Sequence, residues 1–136
     1  MKRFGLALLL LLVCGVIATQ AAEPQKVFRA TVDKDGVQRV SVVGGEYFFD
    51  PGHIIVKVNQ PVELTYSKRP GMTPHNIVIK AFTAGIDFDE SMTTEPKVIR
   101  FTPKKTGTYP IYCSKKLPFL KSHRDRGMEG VLEVVE

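Results

Sequence analysis

Three residues near the end of the chain have side chains that bind soft metal ions, and they share one polar stretch. Cys113 follows a short apolar run, His123 and Met128 come next, and Gly130 opens a second apolar run typical of a final strand. With a second imidazole, these groups make the ligand set of an electron-transfer copper site, because soft sulfur favours Cu(I) and nitrogen accommodates Cu(II). The best candidate for that imidazole is His75, which precedes a short β-branched run.

The first residues of the chain have the features of a secretory signal. Lys2 and Arg3 precede an uncharged apolar stretch, and Thr-Gln-Ala-Ala follows it, which favours cleavage near Ala22. The apolar stretch is too short for a transmembrane helix. A lipoprotein signal ending at Cys14 is the alternative, but Val13 stands where such signals carry a small residue. We therefore expect a protein that is periplasmic or otherwise exported and whose mature chain has no membrane span.

Cleavage after residues 1–22 leaves residues 23–136, which have the length of one domain and can bury a single core without disulfides. It also removes Cys14 and leaves Cys113 as the only cysteine of the mature sequence. An unpaired thiol in an oxidising compartment is prone to intermolecular pairing or oxidation. The thiol is either a buried, inert core residue or a metal ligand, and the histidine and methionine that follow favour the ligand.

Short runs of alternating apolar and polar residues recur along the mature chain, with turn residues between them. The runs at 27–32 and 37–43 flank an Asp-Gly turn and predict a hairpin. Residues 82–96 are less regular and predict an irregular excursion with one helical turn. Seven or eight short strands without a long 3.6-residue period predict an all-β fold, a Greek-key β-sandwich or barrel with antiparallel strands.

The motif Tyr-Pro-Ile-Tyr-Cys113-Ser, with His123, Met128 and a Gly-Val-Leu-Glu-Val strand after it and Pro-His75-Asn76 before it, resembles the blue copper proteins. These proteins, the cupredoxins, include plastocyanin, pseudoazurin and azurin, and the likeness covers nearly the whole mature chain. It implies one copper ion in a Greek-key sandwich, with both histidines and Cys113 as equatorial ligands and Met128 as the axial ligand. Asn76 would brace the cysteine loop by hydrogen bonding.

The loop from the cysteine to the second histidine departs from that family. Familiar loops place about two to four residues there, whereas positions 114–122 make nine. A long loop can still return His123 to the metal, because the entropic cost of closure rises slowly with length. A flatter site would be green or red rather than blue, and a red-copper relative uses a carboxylate ligand. The residues considered as intruding ligands are Asp50, His53 and Glu63.

Two further residues of metal-binding type lie outside this pattern. His53 flanks an alternating strand, where we expect a half-exposed surface residue, since a surface histidine needs no partner. Met72 lies in a Pro-Gly loop near His75, where we expect packing rather than contact with copper.

Positive charge is concentrated beside the predicted metal site. Loss of Lys2 and Arg3 with the signal leaves 17 lysines and arginines against 14 acidic residues, a net charge of +3. The stretch 114–126 alone carries +4, because its five basic residues face one acid, Asp125. Such a field would steer an acidic redox partner, and the apolar run 117–120 would add contact area. The alternative is a solvated basic loop whose apolar residues fold back onto the core. The basic residues are Lys115, Lys116, Lys121, Arg124 and Arg126.

Three classes of function agree with these features. We expect a one-electron carrier between redox partners, an oxidase, a reductase or an acidic cytochrome, and hence an electron-transfer protein rather than an enzyme. The alternatives are a periplasmic copper carrier or storage protein that delivers Cu(I), and a small red-copper-like redox enzyme with an open coordination position. Nucleic acid is not an expected partner, because basic and aromatic residues do not alternate elsewhere in the sequence.

Overall fold

Two β-sheets enclose one core in the computed structural model, which describes residues 24–136. The predicted signal at 1–22 lies outside these residues. The strands are β1 (Val27–Arg29), β2 (Gln38–Gly45), β3 (Phe48–Asp50), β4 (His53–Lys57), β5 (Val62–Lys68), β6 (Asn76–Ala81), β7 (Ile86–Ser91), β8 (Lys97–Phe101), β9 (Gly107–Tyr112) and β10 (Glu129–Val135). Within this part of the chain, no helix is both long and apolar enough to cross a membrane.

The larger sheet has the strand order β1-β4-β10-β9-β6-β7, and the smaller sheet has the order β3-β2-β5-β8. Most neighbours are antiparallel, but β4 is parallel to β1 and β10, and β2 is parallel to β5. Strands distant in sequence thus become neighbours by crossing between the sheets, as in Greek-key folds. The predicted all-β Greek-key sandwich is confirmed. The strand count is ten rather than seven or eight, since β3 has only three residues and β7 lies in the stretch predicted to be irregular.

Alternation of apolar and polar residues fills the space between the sheets. In β5, Val62, Leu64 and Tyr66 are buried and the residues between them are half-exposed. Burial of one such side chain contributes about 1.5–3 kcal/mol, so the core holds both sheets in a fixed relation. Cys113 and Met128 belong to the same buried cluster. The predicted metal site is therefore continuous with the core.

The predicted hairpin of the first two runs forms only next to its turn. The amide of Gly36 donates to the carbonyl of Asp33 at 2.9 Å, as a tight turn requires, and Val32 forms an isolated antiparallel bridge with Gln38. However, β1 pairs with β4 in the larger sheet, and β2 pairs with β5 in the smaller one. All three residues of β1 are exposed, so local alternation carried no information about its partner.

The stretch 82–96 contains the predicted helical turn, a 3-10 turn at Phe82–Ala84, followed by a strand that was not predicted. Gly85 ends the turn in the left-handed conformation with φ 72°, which glycine adopts without steric cost. β7 is an edge strand and is buried only at Ile86 and Phe88. Because its outward face is acidic, the alternation of apolar and polar residues in β7 was not recognised in the sequence.

Candidate metal centre

Two of the predicted ligands are brought together by neighbouring strands. His75 directly precedes β6, and Cys113 directly follows β9. The two strands are antiparallel neighbours, with Val78 opposite Tyr112, so the start of one meets the end of the other. The third ligand, His123, comes from the loop between β9 and β10. Its Nδ1 atom lies 3.1 Å from Nδ1 of His75 and 3.5 Å from Sγ of Cys113, and His75 Nδ1 lies 3.9 Å from that sulfur.

These donor atoms are shielded from water. Cys113 is fully buried, and His75 and His123 are only 4% and 3% exposed. Burial lowers the pKa of His75, and the nearby His123 and Lys68 lower it further. Burial also lowers the pKa of His123, with a contribution from Arg126. The neutral imidazole, which a metal ion requires, is therefore favoured at both positions.

The arrangement fits a soft cation. Two Nδ1 atoms 3.1 Å apart cannot both carry a proton without repulsion, so at least one lone pair points at the other ring. A metal ion held by both nitrogens and the sulfur would use all three lone pairs at once. Among residues 24–136, the donor atoms of His75, Cys113 and His123 lie within 4.8 Å of one another, and no carboxylate joins them. Two imidazoles with a thiolate favour copper over hard cations.

Met128 is fixed beside these three residues by the backbone. Its amide donates to the carbonyl of His123 at 3.0 Å, and its carbonyl accepts from the amide of Cys113 at 3.1 Å. The side chain is fully buried, and its methyl group packs near Gly44 of β2, where a Cβ would lie 3.4 Å away. The four predicted ligands thus occupy one site, and one copper ion per chain matches their donor set. That each of them binds the metal remains a prediction.

The long loop is closed at its base. The amide of His123 donates to the carbonyl of Lys115 at 2.9 Å, so the chain leaves the site after Lys115 and returns at His123. Residues 116–121, here called the projecting segment, lie outside this closure. The path from Cys113 to His123 is therefore short when it is followed through the hydrogen bond between Lys115 and His123. The extra length that distinguished this sequence is therefore diverted away from the metal.

Residues 122–128, here called the closed segment, are held by bonds within the segment. Ser122 Oγ donates to Asp125 Oδ2 at 2.6 Å and accepts from the Asp125 amide at 3.1 Å. The hydrogen bonds that the Asp125 carboxylate accepts from the hydroxyl and the amide of Ser122 hold the pKa of Asp125 below its usual range. Gly127, at φ 99°, donates its amide to the carbonyl of Arg124 at 2.8 Å and turns the chain into β10. His123 and Met128 thus lie at the two ends of one rigid turn.

Tyr47 is a residue of the site that the sequence did not indicate. Its ring meets His123 edge-on with centroids 5.2 Å apart and meets His75 at 6.3 Å. Arg126 places its guanidinium over the ring at 4.9 Å and donates to the phenolic oxygen at 3.0 Å. Tyr47 has φ 62°, which is uncommon for a residue with a bulky side chain. No pattern in the sequence predicted this contact, since Tyr47 stands among other aromatic residues after two glycines.

Asn76 makes the contact that the family resemblance implied. Its Oδ1 atom accepts from the amide of Ser114 at 2.8 Å, and its Nδ2 atom donates to Ser114 Oγ at 2.8 Å. These two hydrogen bonds fix the backbone directly after Cys113.

The other candidate ligands lie elsewhere. His53 is half-exposed, as expected, and its Nε2 atom lies 2.8 Å from Glu133 Oε2. Asp50 pairs with Lys26 at 3.3 Å. Glu63 contacts two arginines of the smaller sheet, Arg39 at 3.3 Å and Arg100 at 3.1 Å.

A shallow cleft leads from the surface to His123. Tyr47, Leu117, Leu120 and the fully exposed Met72 are among the residues that line it. Met72 is thus neither buried packing nor part of the donor cluster. Phe119 stands outside the cleft with φ 63° and a fully exposed ring. The apolar residues of the projecting segment therefore do not fold back onto the core.

Comparison with known proteins gives matches in structure only. No protein-family model and no curated protein matches the chain. The metal-binding domain of the Cu(I)-exporting P-type ATPase of Streptococcus pneumoniae superposes with a TM-score of 0.62 at 23% identity, over 84% of this chain and 100% of that domain. Auracyanin from Roseiflexus castenholzii gives a TM-score of 0.59 at 22% identity, over 79% and 99%. The periplasmic domain of cytochrome oxidase subunit II from Bradyrhizobium japonicum gives 0.53 at 18%, over 78% and 88%.

These matches agree with the fold described above. The chain has the cupredoxin fold, and His75, Cys113, His123 and Met128 form a type 1 copper-like site within it.

Proposed function

We propose that this protein is an exported mononuclear copper protein that carries single electrons between redox partners. The observation that carries the proposal is the convergence of two imidazole nitrogens on the Cys113 sulfur in a buried site, at 3.1–3.9 Å from one another. When bound, copper supplies one-electron exchange between Cu(I) and Cu(II). The signal-like residues 1–22 support export.

The chain's own residues would hold the ion and keep its surroundings constant. His75, Cys113 and His123 would bind it, and Met128 would lie at a weak axial position. The ligands are attached to strand ends and to the closed segment, which restrict their movement. A site whose ligands need not move between oxidation states suits electron transfer, because preorganised groups cost no reorganisation when the charge changes.

The surface next to His123 suits a protein partner. Leu117, Phe119 and Leu120 of the projecting segment are 51%, 105% and 47% exposed, and Met72 faces the same cleft. Exposed apolar side chains grouped together mark interaction surfaces more often than isolated ones do. Docking here would bring a partner close to His123, which lines the cleft.

The charge on this surface favours an acidic partner. Arg124 pairs with Glu129 at 2.9 Å, which offsets its charge, whereas Arg126 donates to Tyr47 and keeps its positive charge beside the cleft. Lys115, Lys116 and Lys121 make no ion pair with any described residue. We therefore assign partner steering to the three lysines, with Arg126 adding to their charge, since charges of one sign raise the rate of encounter with the opposite sign.

Delivery of Cu(I) is the second candidate function. Met72 places a fully exposed thioether at the cleft that leads to His123. Thioethers are soft ligands that select Cu(I), so this residue could receive or release the ion. The likeness in fold to a domain of a Cu(I) exporter agrees with this candidate as well as with the auracyanin-like one. The red-copper alternative has less support, because no carboxylate lies in the donor cluster of residues 24–136.

The test begins with Cu(II) added to the purified apo-protein. We expect one equivalent to bind and to give an intense visible band, since a cysteinate ligand supplies thiolate-to-copper charge transfer. Cys113→Ser should lose the band, whereas the control His53→Gln should keep it. Retention of the band in Cys113→Ser would overturn the copper site.

Two further measurements separate the candidate functions. Reversible voltammetry without loss of metal supports the electron carrier, whereas rapid transfer of Cu(I) to a chelator, slowed by Met72→Leu, supports delivery. Met128→Gln should still bind copper and should have a lower reduction potential, because the axial ligand tunes potential more than affinity. An unchanged potential would contradict the axial role of Met128.

A further inference from the structure

We propose that Asp89 is a positioning residue of the metal site, acting through Asn76 on the backbone that follows Cys113. Asp89 lies on the edge strand β7 and touches none of the four ligands by hydrogen bond. Its Oδ1 atom accepts from Nδ2 of Asn76 at 2.7 Å. Asn76 itself is 2% exposed and follows His75 directly.

The side-chain amide of Asn76 can face Ser114 in two orientations, and only one of them allows a hydrogen bond with the Ser114 N–H. In the observed orientation Oδ1 accepts from the Ser114 amide, while Nδ2 donates to Ser114 Oγ. Rotating the amide by half a turn would set its nitrogen against the Ser114 N–H, donor against donor. The hydroxyl of Ser114 cannot forbid this alone, because it both donates and accepts.

Asp89 adds to the preference that the Ser114 amide already sets. An ionised carboxylate only accepts hydrogen bonds, so the nitrogen of Asn76 must face it. The oxygen of the same amide is then directed at the Ser114 N–H. Charge-assisted bonds of this kind are stronger than neutral ones, which makes the preference substantial.

The same strand also supports the other ligand of this pair. Met92, directly after β7, donates its amide to the carbonyl of His75 at 2.9 Å. β7 therefore holds His75 through its backbone and Cys113 through the chain from Asp89 to Asn76 to Ser114. A strand that contributes no ligand thus sets where two ligands stand.

The chain offers a matched control for Asp89. Asp87 lies two residues earlier on the same face of β7, is likewise exposed, and pairs with Lys80 at 3.1 Å rather than with Asn76. Asp87→Ala and Asp89→Ala remove the same charge from the same strand. Asp89→Asn retains an acceptor but can also donate, so it no longer requires the nitrogen of Asn76 to face it.

The first readout is hydrogen exchange of the Ser114 amide in the apo-protein by NMR. We expect exchange about 10-fold faster in Asp89→Ala, the size of one hydrogen bond to a charged group, and unchanged exchange in Asp87→Ala. Asp89→Asn should fall between them. Equal exchange in the two alanine variants would overturn the proposal, as would an Asp89→Asn value outside that interval.

The second readout is the visible spectrum with copper bound, and it rests on the proposed function. Asp89→Ala should change the position or relative intensity of the thiolate bands, whereas Asp87→Ala should not. Identical spectra in the two variants would contradict the inference. The exchange measurement needs no copper, so a failure of the proposed function and a failure of the role of Asp89 give different results.

Discussion

The two halves of the loop between β9 and β10 are neighbours in sequence and opposite in character. The projecting segment, 116–121, exposes Leu117, Phe119 and Leu120 and has a single backbone hydrogen bond of its own, from Leu120 to Leu117 at 3.2 Å. The closed segment, 122–128, is held by several short bonds and carries two buried predicted ligands. One hydrogen bond, from His123 to Lys115, separates them.

The difference teaches that loop length and site rigidity are separate quantities. A loop of nine residues between two ligands would be expected to loosen a metal site, since each free residue adds conformational entropy. Here the added residues lie beyond the hydrogen bond from His123 to Lys115, so their conformational freedom does not loosen the site. In our proposal, encounter with a partner depends on the projecting segment, and placement of two predicted ligands depends on the closed segment.

The largest expected effect contrasts one residue from each half. His123→Gln should abolish the intense visible band, because it removes an imidazole from the donor cluster, whereas Phe119→Ser should leave the band unchanged. Absorption spectra of both variants with one equivalent of Cu(II) make the test. Loss of the band in Phe119→Ser would show that the projecting segment shapes the site after all.

Reversing charge in the loop should act on encounter alone. Lys115→Glu with Lys121→Glu should lower association with an acidic redox partner by about 10-fold or more at low salt, while the spectrum stays the same. The difference should shrink as salt rises, since charges more than about 8–10 Å apart are then screened. The measurement is stopped-flow electron exchange with an acidic exported cytochrome across a salt series.

The control for charge is Lys104→Glu with Lys105→Glu, in the exposed turn between β8 and β9. This turn precedes β9, and the site follows β9, so these lysines lie at the other end of the strand. Equal rates and equal salt dependence for both double variants would remove docking from the loop lysines and leave the apolar surface around His123 as the contact.

A smaller effect should follow from releasing the closed segment from Tyr47. Arg126→Met removes a hydrogen bond and a cation–π contact, each about 0.5–1 kcal/mol at a partly exposed position, so copper should dissociate several-fold faster. Lys121→Met, in the projecting segment, is the control. Chelator-competition kinetics measure both rates, and equal rates would mean that Tyr47 does not hold the loop.

The smallest effect should come from the largest deletion. Replacement of the projecting segment by two glycines should leave the visible band and the one-to-one stoichiometry unchanged, because the bond from His123 to Lys115 closes the loop below it. Copper titration by absorption tests this. A shifted or weakened band would show that the closure depends on the residues it excludes.

Much of this site was accessible from residue types and spacing. Cys113, His123 and Met128 share one stretch between two strand patterns, and His75 precedes another strand pattern. The family motif added Asn76, so the sequence alone predicted that these residues lie at one end of an all-β fold. The alternation in β5 and β10 likewise predicted strands correctly, because one face of each is buried.

The remaining features depend on contacts between distant parts of the chain. Tyr47 reaches the histidines through a left-handed backbone conformation that its sequence neighbours do not predict. The closure of the loop is a bond between two backbone groups and has no side-chain signature. Asp89 was part of the stretch predicted to be irregular, and its partner Asn76 is thirteen residues earlier. The pairing of edge strand β1 was not predicted for the same reason, since its contact with β4 depends on the tertiary fold.

Gly44 of β2 connects the smaller sheet to the site. A Cβ at this position would lie 2.9 Å from the methyl carbon of Met92 and 3.4 Å from that of Met128, so the absence of a side chain is what gives both methionines room. The thioether of Met128 is thereby wedged between its own loop and a strand of the opposite layer. The thickness of the sandwich at this point and the position of the Met128 sulfur, the predicted axial ligand, therefore cannot vary independently.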